Sequence, residues 1–132
     1  MKFFFALITV SLLFTSCKKV EGKGGLATIK GFVYKQKYNS LGNPINGGRY
    51  ASADQDIFLI YGEEDNFYDD DIKSSYDGSF EFNYLQKGKY TLFVYEDCIT
   101  CQSGKIEKIY PIEITERKQV IDLDTIEVKK QL

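Results

Sequence analysis

Asp77-Gly78-Ser79-Phe80-Glu81-Phe82 is the stretch that decides the fold class. Asp-Gly is a hairpin signal, because tight primed turns need positive φ. Phe80 and Phe82 then share one face while Ser79, Glu81 and Asn83 share the other, the period of a half-buried strand. Working outward, Gly88 closes the next loop and Tyr90, Leu92 and Val94 form a second inward set. Upstream, Ile29, Gly31 and Val33 alternate with Thr28, Lys30 and Phe32, and Ile57–Tyr61 is a short apolar run rich in β-branched and aromatic residues. Downstream, Cys98–Gly104 reads as a turn before strands over Ile106–Ile114 and Val120–Val128. Pro111 places a kink or a sheet edge in the first of these. In the second, Ile121 and Leu123 fall on one face but Ile126 and Val128 on the other. A bulge near Asp124-Thr125 would restore the register, and burial on both faces would serve equally. No segment has a helical period. The pattern is that of an all-β antiparallel sandwich or barrel.

The chain has 132 residues, which suits one domain, with 43% hydrophobic and 27% charged side chains, an ordinary globular balance. A net charge of −2 argues against nucleic acid as a partner. There is no His, which removes Ser–His and Cys–His nucleophile pairs and every His-ligated metal site. No GxSxG or SxxK motif surrounds Ser79, and Gly22–Gly25 lacks the strand–turn–helix context of a phosphate loop. The expectation is a protein that is not an enzyme and carries no cofactor.

Gly31-Phe32-Val33, Gly42-Asn43-Pro44-Ile45-Asn46-Gly47, Asp77–Phe82, and then Leu85, Gly88, Tyr90, Leu92 and Val94 follow one another in an order that resembles the carboxypeptidase regulatory-like domain. That resemblance spans roughly residues 27–96. It implies a single antiparallel Greek-key β-sandwich of about seven strands, transthyretin-like or immunoglobulin-like, with an accessory role and no activity of its own. Transthyretin-like hydrolases and iron dioxygenases of related topology depend on His residues that this chain lacks. The chain departs from the pattern over Gly47–Asp56, which reads as an insertion and a place for loop-borne function.

The N-terminus reads as an address. Met1 and Lys2 precede an apolar run from Phe3 to Phe14, then Thr15, Ser16 and Cys17, the layout of a signal peptide. Twelve helical residues reach roughly 18 Å, too short for a hydrocarbon core of about 30 Å. Phe14-Thr15-Ser16-Cys17 resembles a bacterial lipobox, with Phe14 where Leu is usual. This implies residues 1–16 as a lipoprotein signal peptide, lipidation (palmitate among the acyl groups) at Cys17, and a flexible tether to Gly25. Residues 26–132 would then form the sandwich, held to a membrane of the bacterial cell envelope. An ordinary secretory cleavage site near Cys17 is the plainer alternative.

Three groups are candidate sites. Cys98 and Cys101 form a CxxC whose turn-like surroundings bring the two together, giving a disulfide in an oxidising envelope; thiol redox chemistry, metal binding and a pair of free thiols are the alternatives. Asp69, Asp70 and Asp71, with Glu63-Glu64-Asp65, form an acidic loop that is either simply solvated or a weak Ca²⁺ site. Tyr50, Phe67, Tyr68 and Tyr76 fall in polar, loop-like stretches. They either cover half-buried sheet or stack on a glycan or anchor a peptide or protein. The functional expectation is a non-catalytic accessory module for a larger envelope protein, with direct glycan or peptide binding second and thiol redox last.

Overall fold

A computed structural model describes residues 20–63 and 67–132. These residues hold eight strands: β1 (Lys23–Tyr38), β2 (Pro44–Ala51), β3 (Asp56–Tyr61), β4 (Asp70–Lys73), β5 (Ser79–Leu85), β6 (Gly88–Asp97), β7 (Lys105–Ile114) and β8 (Val120–Gln131). They form two four-stranded sheets packed face to face, a β-sandwich, one of the two forms that the alternation predicts.

β1 organises the first sheet. Its first half pairs with β5, with Gly31 opposite Phe80 and Ile29 opposite Phe82, and its second half pairs with β2. Its other edge is covered by β8. The second sheet runs β4-β3-β6-β7. Five of the six pairings are antiparallel, as the sequence predicts; β8 lies parallel to β1. A parallel pair needs a crossover, and here the chain supplies it by passing through the second sheet between its first and last strands.

The core takes Ala27, Ile29, Val33, Phe80, Phe82, Leu85, Ile126 and Val128 from the first sheet, and Ile57, Leu59, Tyr90, Leu92, Val94, Ile112 and Ile114 from the second. The phase break in the last strand is a bulge. Lys30 faces Asp122 but Phe32 faces Thr125, and Asp124 takes φ 52°. That extra residue lets Ile126 and Val128 join the core while Ile121 and Leu123 still pack against it. Pro111 lies on β7, an edge strand, as a residue without an amide proton requires.

Three expectations are corrected. The Asp77-Gly78 turn closes no hairpin: it carries the chain from β4 in the second sheet to β5 in the first. Gly47–Ala51 is not a loop: it belongs to β2, an edge strand whose Pro and Gly residues carry little β propensity and which is held by pairing with β1. The tether read over residues 18–25 is also docked in its described part. Gly22 is buried, Lys23–Gly25 open β1, and a Cβ on Gly25 would stand 1.9 Å from the Leu85 carbonyl oxygen. These glycines permit close backbone approach rather than free movement, so the globule begins before residue 26.

Candidate binding face

The second sheet turns an aromatic face to solvent. Ile57 and Leu59 of β3 point into the core, so Phe58 points out; Leu92 and Val94 of β6 point in, so Phe93 and Tyr95 point out. The β3–β6 register sets Phe58 directly opposite Phe93. Their rings stack at 4.9 Å and 17°. Tyr95 presents an edge to both, 5.7 Å from each. Tyr68, from the β3–β4 connection, lies 4.8 Å from Phe58. Phe93 is covered, whereas Tyr95 and Tyr68 are 39% and 51% exposed. Ile109, opposite Phe93 on β7, extends the apolar band. Polar groups border it: Asp71 faces Phe58 across β4, Glu107 faces Tyr95 across β7, and Lys73 pairs with Asp56 at 2.6 Å.

A cleft of about 290 Å³ opens beside this face, at the end where β3 begins and β6 finishes, with Phe58 and Tyr95 in its wall. Asp97 is part of its lining. Its carboxylate accepts hydrogen bonds from Lys105 and from the Gln131 amide, and Lys130 lies 3.2 Å away. Burial alone would push Asp97 up, but these donors outweigh it and hold its carboxyl down at about 2. Burial, and then the nearby Lys130 and Lys105 ammonium groups, push the Lys35 amine below its ordinary value.

No family model and no curated protein matches this chain. Among solved structures, it is similar to a Pseudomonas aeruginosa protein provisionally described as carbohydrate binding, at 10% identity and TM-score 0.47, over 83% of this chain and 91% of that one. A 9R-lipoxygenase from Cyanothece is similar at 15% identity and TM-score 0.39, over 79% of this chain and 16% of that one.

Of the four aromatic candidates from the sequence, only Tyr68 joins the cluster. Tyr50 is on β2 in the other sheet, with the Lys37 ammonium 5.5 Å from its ring centroid. Phe67 and Tyr76 are 81% and 89% exposed, in the β3–β4 and β4–β5 connections, and pair with no ring among the described residues. The four form no single platform, because they arise from both sheets. Phe58, Phe93 and Tyr95 were hidden inside runs that read as core strand.

The acidic triplet is likewise dispersed. Asp70 and Asp71 lie in β4, where successive side chains point to opposite faces. Asp69 accepts from the Tyr61 amide at 2.7 Å, Asp70 pairs with Lys23 at 2.9 Å, and Asp71 borders the aromatic face. Among the described residues no group of three such side chains is arranged to hold a metal, and Glu64 and Asp65 of the acidic stretch lie outside the described residues.

Cys98 and Cys101 are joined by a disulfide, their Cα atoms 5.3 Å apart. It closes the turn between β6 and β7, where Cys98 N–H donates to the Gly104 carbonyl at 2.9 Å. The motif leads into a strand, not into the helix N-terminus that lowers a thiol pKa in thioredoxin-type sites. Cys17 lies outside the described residues.

Proposed function

We propose that this chain is a non-catalytic binding module of the bacterial cell envelope, anchored by lipid on Cys17, whose ligand is a glycan held on the outer face of the second sheet. The observation that carries the reading is the cluster of Phe58, Phe93, Tyr95 and Tyr68 on a sheet exterior. Rings placed there cannot serve the sandwich core. A sugar offers an apolar C–H face to an aromatic ring and hydroxyls to its surroundings, and the bordering Asp71, Glu107 and Lys73 can accept or donate to those hydroxyls. The lipid anchor is supported by the Phe3–Cys17 sequence alone.

The test is calorimetric titration of the full-length protein in detergent with a panel of oligosaccharides. Binding that falls at least about tenfold in Tyr95→Ala and Tyr68→Ala supports the reading. Unchanged affinity in both variants overturns it. Label from a lipid precursor should appear on the wild type and vanish in Cys17→Ala; a wild type without label removes the anchor.

A second reading, docking onto a larger envelope protein, is favoured by Ile109, 60% exposed beside the rings on edge strand β7. In-cell crosslinking that captures one envelope protein, and loses it in Ile109→Asp, would move the assignment there.

A further inference from the structure

We infer that the ligand of this face carries negative charge, and that the cleft beside Tyr95 seats an anionic group borne on a sugar ring. The inference rests on the glycan reading and deepens it. Lys35 and Lys130 continue the inward phase of Val33 and Val128, two residues beyond each. Positions that would extend the core therefore carry ammonium groups, and the cleft forms where the core stops. The Lys35, Lys105 and Lys130 side chains line it against Asp56 and Asp97, an excess of one positive charge on a chain whose net charge is −2, while the Lys129 ammonium turns away to the Tyr38 ring.

The two carboxylates do not neutralise this excess. Asp56 is engaged by Lys73, which is not part of the lining, and Asp97 is shared by Lys105 and Lys130. Lys35 makes no salt bridge among the described residues. Partial burial among like charges disfavours its charged form, so an incoming anion would relieve it. Asp97 fixes Lys105 and Lys130 in place before any ligand arrives, which reduces the ordering cost of binding. At about 290 Å³ the cleft is at the small end of ligand pockets and suits a single ring. Phe58 and Tyr95 belong both to its wall and to the aromatic face, so one sugar chain can stack on the rings and place an acidic unit among the lysines.

The probes are matched pairs: an oligogalacturonide with its methyl ester, and a heparin oligosaccharide with its desulfated form. Each is titrated into the full-length protein in detergent, with thermal midpoints confirming that every variant is folded. An acidic member should bind at least about tenfold more tightly than its neutral partner. Lys35→Gln and Lys130→Gln should each weaken the acidic member severalfold and leave any neutral binding unchanged, while Tyr95→Ala weakens both. The pair that responds separates a carboxylate from a sulfate ligand. Neutral members binding as tightly as acidic ones would overturn the anionic inference and leave the glycan reading standing. Acidic binding insensitive to both lysine substitutions would overturn the placement in this cleft. No binding by any member to folded protein would overturn both.

Discussion

Gly22 donates its amide proton to the Tyr90 hydroxyl at 2.9 Å, joining two residues 68 apart in the chain. The same hydroxyl donates to the Gln86 carbonyl at 2.7 Å, and the Gln86 amide returns a bond to the Gly22 carbonyl at 2.8 Å. The Tyr90 ring is a core residue, so one side chain both fills the sandwich and pins the chain entering β1 to the β5–β6 turn. Tyr90→Phe keeps the ring but leaves a buried amide without its acceptor. It should cost about 1–2 kcal/mol and speed amide exchange at Gly22 and Gln86 more than in the sheet centres. Wild-type exchange at both amides would show that the hydroxyl does not hold this junction.

Where side chains alternate cleanly, the sequence reports the fold. Phe80 and Phe82, and Leu92 and Val94, follow from period-two arithmetic within one strand. Pro111 signals a kink or an edge and the phase break near Asp124 a bulge or two-faced burial, and the pairing of strands decides between them. What the sequence does not report depends on other strands. β2 lacks a pattern because its order comes from β1. The continuous run Tyr90–Tyr95 shows burial but not which residues face solvent usefully, and no local signal sets Phe58 opposite Phe93. The cleft is harder still. Lys35 and Lys130 lie nearly a hundred residues apart, each an ordinary surface residue until the parallel β1–β8 pairing brings them to one end of the core.

The Asp77-Gly78 turn is under a steric limit. Gly78 takes φ 83°, and a Cβ there would stand 2.4 Å from the Val33 carbonyl oxygen, while its own carbonyl accepts from the Val33 amide at 2.8 Å. Gly78→Ala must therefore adopt an unfavourable φ and displace backbone at the centre of the first sheet. A loss of about 2–3 kcal/mol in denaturant unfolding is expected, well beyond that of an exposed glycine substitution. Gly42→Ala is the control, since φ is also positive there but nothing lies within 4 Å. Equal losses in the two variants would mean that φ alone, not the contact with Val33, sets the requirement.

The Cys98–Cys101 disulfide closes a very short loop, so its effect on the unfolded chain is small. Loop-closure entropy for four residues amounts to about 2 kcal/mol. The Cys98→Ser/Cys101→Ser double variant should fold, lose about that much stability, and differ locally at the β6–β7 turn. Reduction of the wild type should reproduce the loss. Identical unfolding midpoints for oxidised, reduced and double-variant protein would remove the bond from the forces that hold the sandwich, and reopen a redox role for the pair.

Asp97 gives the molecule a specific acid sensitivity. Its folded carboxyl is held at about 2 against an ordinary 3.8, and its side chain is only 13% exposed. A depressed folded value means that the stabilisation is fully present above the unfolded value and is lost as pH falls through the folded one. The window therefore runs from about pH 4 down to about pH 2, and the contribution is about 2 kcal/mol. Asp97→Asn removes the titrating group and leaves Lys105 and Lys130 without their shared carboxylate. The variant should be less stable at neutral pH, and its stability should fall less steeply than the wild type's across that window. Because the other carboxylates titrate in both proteins, the difference between the two acid limbs isolates this site. Parallel limbs, displaced by a constant amount, would show that Asp97 is not held low by its lysines and that the cleft is less preorganised than its geometry indicates.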